Sequence, residues 1–131
     1  MIVNIPVSVA ELFDKISILE IKKNEIKNPE QLFHVEKELK ELLLILDEVN
    51  IKSFLDNDLY NELKTVNKEI WKICELRRDF EFAEKFDAEF IWQSRCEYKS
   101  NDRRALVKKS INKFFDSELI EVKSYQRLTC E

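Results

Sequence analysis

Apolar residues recur at helical spacing along most of this chain. Leu32, Val35, Leu39, Leu42, Leu46 and Val49 alternate steps of three and four, the seam by which one helix packs on another. Leu59, Leu63, Val66, Ile70 and Ile73 repeat the pattern. The short break "NIKSFLDND" between the two seams predicts a central antiparallel helix hairpin. Ahead of them, Val9, Leu12, Phe13, Ile16 and Leu19 form one apolar arc of a helix over about 9–27. Leu106, Val107, Ser110, Ile111, Phe114 and Phe115 form another arc near the end of the chain, with Lys108, Lys109, Asn112 and Lys113 opposite.

Capping residues fall where the periodicity breaks. Ser8 and Glu11 make a capping box, with Val7 and Leu12 as its hydrophobic staple. Asn28-Pro29 starts the second helix and Asp58 lies near the start of the third. Asp87 caps the fourth, with Phe86 and Ile91 as its staple. Asn101 either caps a fifth helix or marks a mild interruption in one long one. The alternating segments "MIVNIPV" and "ELIEVKSY" read as a minor two-stranded element from the termini. The expected fold is all-α: a single domain over 1–131, a bundle of about five helices.

Composition narrows the function. At 131 residues with 44% hydrophobic and 37% charged positions, the chain is globular. It contains no glycine, which excludes phosphate-cradling and dinucleotide-binding loops that need positive φ and close backbone approach. A single histidine, His34, removes paired-histidine metal motifs and weakens any catalytic triad. Neither a cofactor nor a metal is expected. The net charge of −4 makes nucleic acid an unfavourable partner. No apolar run nears the ~18 residues a membrane span needs, and the N-terminus lacks the cationic start of a signal peptide. Cys74, Cys96 and Cys130 read as reduced thiols, two in helices and one in a tail, which places the protein in the cytoplasm.

Some charges sit on the wrong face. On the first helix Glu20 lies inside the apolar arc, while Glu11, Asp14, Lys15, Lys22 and Glu25 face outward. On the last helix Arg103 falls between Ser110 and Phe114, and Arg104 beside Ile111. A carboxylate buried alone costs several kcal/mol, so Glu20 is either protonated or paired. One expectation is a buried Glu20–Arg103 pair between the first and last helices; the other is that Arg103, in the first turn of its helix, bends out to solvent. Residues 99–113 also gather six cations against one acid, Asp102. Arg103, Arg104 and Lys108 are therefore candidates for holding an anion. The bland alternative is internal balance against residues 30–48, where six acids face two lysines. Trp71 and Trp92 read as core or interface anchors, His34 as exposed, and "DFEFAEKF" as a loop with its rings tucked inward, an exposed edge for a partner being the lesser reading.

Four stretches, "PVSVAELFDKISILEIKKNEI", "LKTVNKEIWKI", "YKSNDRRALVKKSIN" and "ELIEVKSY", carry a resemblance. Together they resemble an uncharacterised family of small bacterial and phage helical proteins catalogued only as a domain of unknown function. The resemblance covers nearly the whole chain and implies no activity. It implies a loose association with polysaccharide or glycosyl-transfer genes. The motif segments include Asp14, Lys15, Glu20, Lys22, Asp102, Arg103 and Lys108. Ala10 and Asp116 stand where glycine is expected in relatives.

Two functions compete. One is a non-enzymatic interaction or oligomerisation module, self-associating or binding a protein partner. The other is a small enzyme or binder for an anionic ligand, phosphorylated or a sugar nucleotide. It would use Arg103, Arg104 and Lys108 for the anion and Glu20 or Asp14 as acid or base. An all-helical nucleotide pyrophosphohydrolase fails on spacing: Glu38 and Glu41 give one half of its metal site, but Glu84 and Asp87 come too late. The reading leans away from an enzyme.

Overall fold

The computed structural model describes residues 1–124. Four α-helices follow one another among these residues: α1 (Val9–Glu25), α2 (Pro29–Glu48), α3 (Asp58–Phe82) and α4 (Ala88–Phe115), with a 3₁₀ turn at Lys52–Asp56. The all-α bundle is as expected, with two corrections to its parts. The fourth and fifth predicted helices are one continuous helix, because Asn101 stays helical and its side chain donates to the Glu97 carbonyl one turn back. No strand occurs among the described residues. Residues 1–7 are exposed, and the second expected strand, 118–125, runs past the last described position.

Local chemistry explains each start. Ser8 Oγ accepts from the Glu11 amide at 3.2 Å. Only half of the expected capping box forms, since the Glu11 carboxylate is engaged with Lys108. Asn28 Oδ1 accepts from the amides of Glu30 and Gln31, with Pro29 supplying a fixed φ at the first helical position. Asn57 caps α3 and Asp87 caps α4 through the amides of Glu89 and Phe90. Without glycine, left-handed backbone falls to Asn50, Glu84 and Asp116, at φ of 58°, 53° and 51°. Asp116, where glycine was expected, is thus a genuine left-handed C-cap of α4. Ala10 is helical and fully buried, so its position calls for a small side chain rather than unusual φ.

The core joins α1 to its surroundings. Phe13 packs on Phe54, Tyr60 and Phe115, their ring centroids 4.9, 5.8 and 5.8 Å away. Ile16, Leu46, Leu63 and Ile111 are fully buried with it. α1 is the central helix, touching α2, α3 and α4. The expected hairpin of α2 with α3 is not formed: no Cα of α2 comes within 8 Å of α3. The seam of Val35, Leu39 and Leu46 is buried instead with α1 and the 3₁₀ turn, which interposes between the two helices. The extensive antiparallel pairing is α3 with α4. Beyond Ile73 on α3 and before Asp102 on α4 no described residue is buried, so the far half of that hairpin projects as an arm.

Candidate functional site

Where the end of α4 crosses the start of α1, the two helices exchange polar contacts. Ser8, Ser117 and Asn112 between them satisfy the first amides of α1: Val9 donates to Ser117 Oγ at 3.3 Å, Ala10 to Asn112 Oδ1 at 2.8 Å. Those amides have no partner inside their own helix, and α4 supplies what α1 lacks.

One turn further on lies Asp14, 1% exposed. Arg104 grips it with two hydrogen bonds, Nε to Oδ1 at 3.0 Å and Nη2 to Oδ2 at 2.5 Å. Asn67 of α3 donates to Asp14 Oδ1 at 2.8 Å and to Ser17 Oγ at 2.7 Å. Lys108, 5% exposed, places Nζ 2.7 Å from Glu11, 3.0 Å from Glu121 and 3.3 Å from Asp14. Burial alone would raise the Asp14 carboxyl, but the hydrogen bonds and charge of Arg104, then Asn67 and Lys108, hold it below its ordinary 3.8. Burial likewise opposes the charge on Arg104 and Lys108, and their carboxylate partners win, raising both above their ordinary values. The Lys108 hydrogen bond lowers Glu121.

The predicted site residues divide among three places. Arg104, Lys108 and Asp14 come together. The expected Glu20–Arg103 pair is not made. Glu20 does turn inward, but toward α3, accepting from the Tyr60 hydroxyl at 2.9 Å and pairing with Lys64. Burial first, then the Glu20 charge, keeps the Tyr60 phenol protonated well above its ordinary range. Arg103 pairs with Glu69 at 3.2 Å on a half-exposed surface. The reason is register: α1 and α4 run antiparallel with Asp14 opposite Arg104, which carries Glu20 more than a turn past Arg103. Lys15 pairs with Glu38 of α2 at 2.8 Å in the open. Lys22 lies in the last turn of α1, and Asp102 is buried in α4.

Two further expectations fail here. Asp14 was read as outward-facing and Lys108 and Asn112 as opposite the apolar arc, yet all three are buried. The acids of α2 do not balance α4, since no Cα of α2 lies within 8 Å of it; Glu11, Asp14, Glu69 and Glu121 do. Sequence reasoning passed over Asn67 and Glu121 and set Asn112 on the wrong face. Asn112 carried a signal, a polar stripe at steps of three and four with Asn101, Arg104 and Lys108.

A polar cavity of about 150 Å³ opens beside this cluster, lined by Asn101, Arg104, Lys108, Glu11, Glu121 and Lys123. Among the described residues no three of the His, Cys, Asp and Glu side chains gather as a metal cage. No helix there is long and apolar enough to cross a membrane.

The fold and this cluster define a small all-helical bundle whose central and last helices are tied by a buried ionic network. The chain belongs to a family of unknown function (DUF6165), whose model matches residues 1–130. No curated protein matches the chain, and no solved structure does.

Proposed function

We propose that the chain is a cytoplasmic, non-enzymatic helical interaction module that self-associates through the arm formed by the far halves of α3 and α4. The observation that carries this reading is the distribution of apolar side chains there. Phe82 is 94% exposed, Ile91 57% and Trp92 50%, with Leu76, Phe86 and Tyr98 also open to solvent. Between the arm's helices lies polar material: Arg77 pairs with Glu97, the Cys74 thiol faces Glu97, and Arg77 Nε is buried without a partner. The arm is therefore greasier outside than a solvated hairpin should be. The rings of "DFEFAEKF" do not tuck in as expected: α3 continues through Phe82 and leaves that ring in water, while only Phe80 and Phe86 reach Phe90.

A second copy of the chain is the occupant that fits. The open parts of those six side chains amount to roughly 690 Å² per arm at about 200 Å² for a large side chain. Two arms together reach at most roughly 1,400 Å², within the range of specific interfaces. Residues 74–101 carry five cations and seven carboxylates, so two copies meet with both signs present and not as like charges. Antiparallel pairing of two such arms makes a four-helix bundle.

The ionic cluster supports a structural role over catalysis. Every resolved shift in it runs away from neutrality: Asp14 and Glu121 down, Lys108 and Arg104 up. A general acid or base needs the opposite.

The test is a paired variant, Phe82→Glu with Ile91→Glu, compared with the natural chain by light scattering and circular dichroism. The natural chain is expected at twice the chain mass, the variant at the single mass with unchanged helix content. A single-mass natural chain would remove the proposal.

A further inference from the structure

Asn112, near the end of α4, is 3% exposed and only half used. Its Oδ1 accepts from the Ala10 amide at 2.8 Å, which fixes the side chain in place. Its Nδ2 donates to no group among the described residues. A buried amide donor is costly to leave unpaired, so water or a ligand must accept from it. Asn112 lines a groove of about 470 Å³ between the last turns of α4 and the segment that follows, and it does not line the polar cavity beside Arg104. The unused donor therefore opens into the groove.

The groove has the make-up of a small-molecule site, with apolar walls, a few convergent polar groups and a volume in the usual range. Leu106 of α4 forms one wall; Ile120 and Val122 form the other, and all three are open to solvent. Lys109 and Lys113 are helix neighbours of Asn112 on the same side of the groove. Both are exposed, and neither makes an ion pair among the described residues. Two carboxylates share the lining. Glu121 is already held by Lys108 and Lys123, which leaves Asp116 at the groove's end. Two uncommitted ammoniums and a fixed amide donor thus meet one uncommitted acid. Leu106 lies six residues before Asn112, about 9 Å along the helix at 1.5 Å per residue. A molecule that spans this distance meets donors at one end and apolar side chains at the other.

We propose that this groove binds a small straight-chain carboxylate, its head accepting from Asn112 Nδ2 between Lys109 and Lys113 and its chain lying on Leu106, Ile120 and Val122. A carboxylate has two oxygens that accept at once, one from the amide and one from an ammonium, and charge strengthens both bonds. The chain takes three exposed apolar side chains out of water. The site lies toward the opposite end of α4 from the arm and does not depend on self-association. It also leaves the buried ionic cluster and the segment after α4 as they stand.

The experiment titrates the full chain with octanoate and, separately, with octanol, which carries the same chain without the charge. Backbone amide resonances of Lys109, Asn112, Lys113 and Val122 report binding, and ionic strength is held constant with sodium chloride. The expected result is saturable octanoate binding that shifts these amides together, with octanol about tenfold weaker. A second chain carries Lys109→Gln with Lys113→Gln. Both positions are exposed, so its melting temperature should be unchanged while its octanoate affinity falls to the level of octanol. Light scattering on the same samples reads the arm separately, so either reading can fail alone. No saturable octanoate binding, equal affinity for octanoate and octanol, or undiminished octanoate binding by the lysine variant would overturn the proposal.

Discussion

Asp14 shows what one buried charge does in this molecule. It is ionised, nearly inaccessible and surrounded by donors from two other helices. Replacing it by asparagine keeps its shape but leaves Arg104 and Lys108 facing fewer charges. We expect Asp14→Asn to cost about 3 kcal/mol in urea unfolding, near the low end for breaking a buried pair because Arg104 retains some solvent. The pH dependence has a definite sign. The Asp14 pKa is depressed in the folded state, so its stabilisation is complete above 3.8 and is lost as pH falls through the lower folded value. Denaturant midpoints between pH 5 and pH 2 should drop more steeply for the natural chain than for Asp14→Asn. Asp14 was hidden from the sequence because a helical wheel assumes one buried face. α1 is covered on several sides, by α2, α3 and α4, so a residue off the apolar arc is buried all the same. Glu20 was legible as inward-facing, but its partners Tyr60 and Lys64 were not, since side-chain pattern carries no interhelical register.

At the scale of elements, the starts of the helices were readable and their neighbours were not. Ser8, Asn28 and Asp87 cap helices where short-range rules place them, because a cap depends on the next three residues alone. The α2–α3 hairpin was inferred from adjacency in the chain, and the 3₁₀ turn at Lys52–Asp56 defeats that inference by filling the gap with Phe54. Two predictions belong here. Asn112→Ala strips the partner from the buried amide of Ala10 and should destabilise by about 2 kcal/mol in chemical unfolding. Glu84, in left-handed backbone at the tip of the α3–α4 turn, pays a steric penalty that glycine avoids. Glu84→Gly should therefore raise stability by about 1 kcal/mol, seen as a higher melting temperature.

Among the described residues the molecule is a compact half, built round α1, and an arm in which no residue is buried. Periodicity and capping residues revealed the all-helical class, and the apolar residues of the arm were visible in "DFEFAEKF" and "FIW" as letters. That they face water was not visible, since the periodicity of a long helix does not say where its neighbours stop. A two-helix arm standing alone has few buried contacts and should open readily. Paired with a second copy it should not. Hydrogen exchange over residues 74–101, measured on dilute and on concentrated protein, tests this most directly. Self-association predicts that the arm's amides become more protected with concentration while those of α1 stay unchanged. Equal, fast exchange in the arm at both concentrations would contradict it.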